Sequence, residues 1–113
     1  MPDSNRRHSP RYEIGGVQGS MDRRQCELLR LSLTGLLAAG TFHPEPQKVI
    51  HLEFPLGGET FHSVGRVAFV GPDIGRSERG WSRVGIEFTA MSRRSRVLLE
   101  SYLHDREPVD SPA

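Results

Sequence analysis

The segment from Lys48 to Phe54 alternates between apolar and polar residues, and this period of two constrains the fold more than any other feature. Such alternation predicts a strand with one buried face, here formed by Ile50, Leu52 and Phe54. Pro55 is predicted to end the strand. The next four residues, Leu56-Gly57-Gly58-Glu59, predict a hairpin turn, because glycine tolerates positive φ. We therefore expect Thr60 to Val70 to return as an antiparallel strand, with a bend at Gly65.

Other short apolar segments share this character. We predict three further strands and one long loop, which are Gln25 to Leu31, Leu36 to Phe42, Arg83 to Phe88 and the loop Gly71 to Ser82. Several short strands separated by turn residues are typical of a small antiparallel barrel or sandwich. The pattern alone leaves both architectures open.

The period changes near the C-terminus. From Ser92 to His104 the apolar residues recur at helical spacing, which predicts an amphipathic helix that closes the sheet. Ser92 or Thr89 is a suitable N-cap for this helix. The predicted apolar stripe contains Val97, Leu98, Leu99, Tyr102 and Leu103.

Composition narrows the class of protein. The chain has 113 residues, which suits one domain, and a net charge of +1, which gives no general attraction to nucleic acid or to a membrane. A small nucleic-acid-binding barrel is also disfavoured because aromatic residues are not interleaved with the basic ones. No run approaches the roughly 20 apolar residues of a membrane span. Cys26 is the only cysteine, so an intramolecular disulfide is excluded. The histidines show no paired spacing for a metal, and nothing indicates catalysis. We expect a cytoplasmic domain that is not an enzyme and has no cofactor.

Two polar clusters carry the functional signal. The first is RRHSPR, Arg6 to Arg11, and the second is RLSLTG, Arg30 to Gly35. The planar fork of arginine bonds bidentately to phosphate or to the O6/N7 edge of guanine. The second cluster adds the hydroxyl of Ser32 and a glycine that allows close backbone approach. Together they are suited to an anionic nucleotide.

These clusters resemble the ligand signature of the PilZ domain family, whose members bind cyclic di-GMP. The signature is R-x-x-x-R followed by D/N-x-S-x-x-G. This chain has the matching residues Arg7, Arg11, Ser32 and Gly35, and it has Arg30 where the acid or amide stands. Arg6 matches a frequent additional arginine, and VGIEF is similar to the last strand of the family. The resemblance implies a six-stranded antiparallel β-barrel with a C-terminal α-helix, spanning about Arg6 to Asp105. It also implies that these six residues bind the nucleotide.

The expected organisation follows from the composition of the segments and from the resemblance. Residues 1–5 and 107–113 are predicted to be disordered tails, and residues 6–106 a single domain, in which 6–20 form a mobile arginine arm and connector that includes Gly15 to Gly19. We expect a receptor that couples cyclic di-GMP binding to an effector protein. One alternative stays open. Arg30 has only donors for the donor edge of guanine, so the domain could be an adaptor that has lost nucleotide binding. On this reasoning Arg30→Asp is expected to strengthen binding.

Overall fold

Six antiparallel strands close into a barrel in the computed structural model, which describes residues 10–104 and 106. Around the barrel the strands follow the order β1-β2-β3-β6-β5-β4, and β4 pairs back with β1. The strands are β1 Tyr12–Met21, β2 Arg24–Leu31, β3 Gly35–Gly40, β4 Val49–Leu56, β5 Glu59–Pro72 and β6 Ser82–Ala90, and they precede one helix, α1 Arg93–His104. The predicted six-stranded barrel with a C-terminal helix is confirmed, and the sandwich alternative is excluded.

Alternation along β4 builds the centre of the barrel. Every second residue of this strand is buried, from Ile50 to Leu56, as the sequence pattern predicted. The strand continues through Pro55 instead of ending there. Proline is tolerated at this position because β1 pairs with β4 only at Leu52 and Glu53, so that no neighbour on that side requires an N–H from Pro55. The hairpin turn at Gly57 and Gly58 is confirmed, and both glycines have positive φ.

Strand β5 contains two irregularities in its pairing with β6. The first lies between Val64 and Gly65, where a bend was predicted. The second lies between Val67 and Phe69 and was not predicted. Since a bulge shifts the following residues to the other face of the strand, it turns Phe69 outward. Phe69 is therefore 51% exposed although simple alternation from Phe61 would bury it.

Helix α1 packs on β5 and β4 through Leu99 and Leu103. Its N-terminus is capped by Ser92, whose Oγ accepts a hydrogen bond from the Ser95 N–H at 3.1 Å. Val97 was predicted on the buried stripe but is 53% exposed. The reason is its spacing of two residues from Leu99, which rotates it by about 200° to the opposite side of the helix.

The predicted flexible connector is wrong for residues 12–20, because they form most of β1. Val17 to Met21 pair continuously with β2. Gly19 faces β4 so closely that a Cβ would overlap the Phe54 ring and the Glu53 carbonyl oxygen, so the glycine here permits barrel closure. The predicted tails 1–5 and 107–113 lie outside the described residues.

Loop 73–81 is fixed by a charged network around Asp73, whose side chain is buried. Its carboxylate accepts hydrogen bonds from Arg76 Nε at 2.6 Å and Arg83 Nε at 3.1 Å. Arg76 NH1 also donates to Glu27 Oε1 on β2 at 2.8 Å. Hydrogen bonds to Glu27 and Asp73 raise the pKa of Arg76. The network anchors the loop to β2 and β6, and Arg76 lies 4.2 Å from the centre of the Trp81 ring.

Candidate functional site

A cleft of about 670 Å³ lies on the outer wall of the barrel, where the β2–β3 turn meets β5 and β6. We call it the arginine cleft and define it by six of its lining residues, which are Arg11, Arg30, Ser32, Gly35, Phe69 and Glu87. Four of the six residues that the sequence singled out line this one cleft. The remaining two, Arg6 and Arg7, lie outside the described residues.

Arg11 reaches the cleft from the start of the described chain, immediately before β1 begins at Tyr12. Pro10 and Arg11 are both exposed. The Arg11 and Arg30 side chains belong to clusters that are 19 residues apart in sequence, and the barrel brings both to the same depression. Two guanidinium groups thus line the cleft, which favours an anionic ligand.

Ser32 organises the turn between β2 and β3. Its Oγ accepts hydrogen bonds from the N–H groups of Thr34 and Gly35, each at 3.1 Å. The Ser32 N–H donates to the Gly35 carbonyl oxygen at 2.9 Å, which closes the turn. Because the hydroxyl is buried and bonded within the turn, its role in the free protein is to shape the cleft wall.

Gly35 is required by the pairing of β3 with β6. A Cβ at this position would overlap the carbonyl oxygen of Ile86 and would lie 3.4 Å from the Glu87 Cα. Its φ is not in the left-handed region. The sequence assigned the glycine to close ligand approach, whereas the structure gives it a separate reason, which is the close contact between two backbones.

Arg30 is held by a cross-strand ion pair. Its Nε donates to Glu13 Oε2 at 3.0 Å, and the two residues are register partners on β2 and β1. Both side chains are partly exposed, so the pair contributes little to stability and mainly orients the guanidinium. The ion pair therefore places a cation at the rim of the cleft.

Phe69 and Glu87 were missed by the sequence reasoning. Phe69 lies over Gly85, where a Cβ would overlap its ring, and Glu87 is the register partner of Gly35 on β6. Arg66 NH2 donates to Glu87 Oε1 at 2.6 Å. Phe69 lies in no motif, and Glu87 lies in VGIEF, which was matched only as a strand. For Phe69 the only local signal was its apolar neighbour Val70, since the pair breaks strict alternation in β5.

A second depression of about 810 Å³ lies where β1, β4 and β5 meet the start of α1. It is lined by His51, Glu53 and His62 and contains none of the predicted site residues. The Ser63 hydroxyl beside it is buried and has no hydrogen-bond partner among the described residues. In the described part of the chain, no group of three or more His, Cys, Asp or Glu side chains could hold a metal ion. No helix in residues 10–104 is long and apolar enough to cross a membrane.

Comparison with known proteins gives one family and one fold. The model of the PilZ domain matches residues 5–105. Among solved structures, the chain is similar to one titled "Structure of Bacillus subtilis Inhibitor of motility (MotI/DgrA)", with a TM-score of 0.69 and 12% sequence identity. The similarity covers 92% of this chain and 55% of the Bacillus subtilis chain, so this chain spans about half the length of that protein. A search of curated proteins gave no match.

Proposed function

Because this chain belongs to the PilZ domain family, a family of cyclic di-GMP receptors, we propose that it binds cyclic di-GMP in the arginine cleft. PilZ domains are generally binding domains without catalytic activity. In this proposal the protein is a cytoplasmic, non-enzymatic receptor whose contact with an effector protein changes when cyclic di-GMP binds. The observation that carries the proposal is the convergence of Arg11, Arg30 and the Ser32–Gly35 turn on one cleft.

Charge complementarity supports the binding of the nucleotide phosphates by arginines of the cleft. Cyclic di-GMP carries two phosphodiester anions, and arginine binds such groups with paired, charge-assisted hydrogen bonds. Arg11 lines the cleft at the point where the chain enters β1, and Arg7 precedes it by one R-x-x-x-R spacing. We propose that Arg7 and Arg11 bind the phosphates and guanine edges, with Arg6 adding a third cation. Arg30, oriented by Glu13, contributes a further cation on the barrel side.

Ordering of the segment around Arg7 is the proposed signal. The sequence of residues 6–11 contains three arginines and little apolar surface, so the nucleotide rather than the hydrophobic effect would hold it against the barrel. An effector that recognises the closed segment would then respond to cyclic di-GMP. The similar Bacillus subtilis protein is titled an inhibitor of motility, which makes motility one process in which to seek the effector.

Isothermal titration calorimetry with cyclic di-GMP tests the proposal. The unmodified chain is expected to bind, and Arg11→Ala or Arg7→Ala should each weaken binding about tenfold or more, because each removes a charge-assisted contact. Arg96→Ala is the matched control, since it removes one positive charge from the exposed face of helix α1, outside the cleft. Unchanged affinity in an Arg7→Ala/Arg11→Ala double variant would place the site elsewhere.

The alternative is an adaptor of the same fold that no longer binds the nucleotide. One specific observation favours it: position 30 has a guanidinium, which lacks any acceptor for the donor edge of guanine. Absence of heat and of any thermal stabilisation at saturating cyclic di-GMP would select this alternative.

A further inference from the structure

We propose that Phe69 and Glu87 form a guanine-recognition subsite in the arginine cleft, in which the ring stacks on the base and the carboxylate accepts from its N1–H and N2 amino groups. The inference rests on the proposed function, because it assumes that the cleft binds a guanine nucleotide. It names two residues outside both sequence clusters, and it supplies the acceptor that Arg30 lacks.

Phe69 has the position of a stacking platform. Its ring lies over Gly85 on the neighbouring strand β6, so that the missing side chain of that glycine lets the ring rest on the sheet. The residue is 51% exposed in spite of its size. A flat aromatic surface of this kind, open to a cleft with two arginines, is what nucleic-acid bases stack on without a need for sequence-specific contacts.

Glu87 has a free acceptor that faces the same cleft. Its Oε1 accepts from Arg66 at 2.6 Å, and its Oε2 has no hydrogen-bond partner among residues 10–104. Arg66 and Gly35 flank it as register partners, and the glycine has no side chain that could bond to the carboxylate. An ionised carboxylate is an acceptor-only group, which complements the two adjacent donors on the Watson–Crick edge of guanine.

The spacing lets one base meet both groups. Gly85, beneath the Phe69 ring, and Glu87 are two residues apart on β6 and point to the same face, about 7 Å apart along the strand. A base lying on the ring can therefore direct its edge at the carboxylate. Arg30 is the register partner of Leu37, and Leu37 is the register partner of Gly85. Arg30 therefore lies two strands away from Gly85, about 10 Å across the sheet. This separates the proposed base contacts from the Arg30 cation.

The test compares cyclic di-GMP with cyclic di-AMP by calorimetry on the full chain. Adenine has an acceptor at N1, which the Glu87 carboxylate repels, so the unmodified protein should prefer cyclic di-GMP. Glu87→Gln should weaken cyclic di-GMP binding about tenfold and reduce this preference, since the amide replaces an acceptor by a donor. Phe69→Ala should weaken binding of both nucleotides by a similar factor, about tenfold, and Phe69→Tyr should retain binding because it keeps the ring.

Matched controls lie elsewhere on the barrel. Glu59→Gln changes a carboxylate that resembles Glu87 in two respects. Its side chain is 55% exposed, compared with 56% for Glu87, and it also forms an ion pair with an arginine, Arg94, at 3.4 Å. Ile74→Ala removes an apolar side chain that is 88% exposed and outside the cleft. Both control variants should bind as the unmodified chain does.

The outcomes separate the two proposals. If the unmodified chain binds cyclic di-GMP and the Phe69→Ala and Glu87→Gln variants bind it equally well, the subsite is refuted and the proposed function stands. If Glu87→Gln weakens binding but leaves the preference over cyclic di-AMP unchanged, Glu87 does not read the base, which also refutes the subsite. If the unmodified chain does not bind cyclic di-GMP, both proposals fail.

Discussion

Gly35→Ala should destabilise the barrel even when no nucleotide is present. The new Cβ would overlap the Ile86 carbonyl oxygen and would also lie 3.3 Å from the Ile86 carbonyl carbon and 3.4 Å from the Glu87 Cα. All three atoms belong to the backbone of β6, so no side chain can rotate away to make room. Strands β3 and β6 must therefore separate locally, at the place where their pairing begins.

The magnitude follows from the cost of overpacking. Forcing one extra methyl into a tightly packed position costs about 1–3 kcal/mol, and backbone neighbours favour the upper half of that range. In a domain of about 100 residues, each kcal/mol lowers the Tm by about 4–8 °C. A loss of about 2 kcal/mol thus corresponds to a fall of about 8–16 °C.

Thermal unfolding followed by far-ultraviolet circular dichroism measures this effect. Gly15→Ala is the control, because it is also a strand glycine, has no atom within 4 Å of the new Cβ and does not require positive φ. Its Tm should stay close to that of the unmodified chain. If Gly35→Ala melts within about 2 °C of the unmodified chain, β3 and β6 adjust without strain and the packing argument is refuted.

Four further predictions concern other parts of the chain. Arg30→Asp should weaken cyclic di-GMP binding in calorimetry by about tenfold, which is the reverse of the expectation from sequence. The reason is that the substitution removes a cleft cation and places two carboxylates opposite each other at positions 13 and 30. Stronger binding would show that the acceptor gained for guanine outweighs this repulsion. Burial raises the pKa of Cys26 from 9.0 to about 12. A thiol-specific reagent at pH 8 should therefore label urea-unfolded protein far faster than native protein, and equal labelling rates would contradict the burial of Cys26. The contribution of this thiol to the unfolding free energy should be constant below pH 9 and fall between pH 9 and about 12, because in that range only the unfolded state releases the thiol proton. Comparison of urea unfolding for the unmodified chain and Cys26→Ala across that pH range measures this contribution. Arg76→Ala should shift the fluorescence of Trp81, the only tryptophan, to longer wavelength and lower the unfolding free energy by about 1–3 kcal/mol, whereas Arg79→Ala in the same loop should change neither.

Local periodicity and turn chemistry were sufficient for most of the fold. The strand at β4, the hairpin at Gly57 and Gly58, and the C-terminal helix all follow from patterns within about a dozen residues. Strand β1 was not predicted, because a segment with three glycines, Gly15, Gly16 and Gly19, resembles a flexible connector when it is considered in isolation. The strand is held by pairing with β2 on both sides of Gly15 and Gly16, and the need for Gly19 depends on Phe54, which is 35 residues away.

The candidate site divides in the same way. The two clusters identified Arg11, Arg30, Ser32 and Gly35 through their resemblance to the PilZ ligand signature, and the arginine donors suit an anionic nucleotide. Their assembly into one cleft, and the roles of Ser32 as a turn-former and Gly35 as a backbone contact, could not be inferred from those types.

What the sequence by itself determined is the set of short-range features: strand period, helix period, hairpin turn and the two arginine-containing clusters. Only the tertiary structure decided which strand neighbours which, and this register placed Glu13 against Arg30 and Glu87 beside Gly35. It also decided the orientation of Phe69, since a bulge between Val67 and Phe69 moves the ring from the core side to the cleft. The physical reason is that strand pairing joins residues far apart in the chain, and a shift of one residue exchanges the faces of a strand.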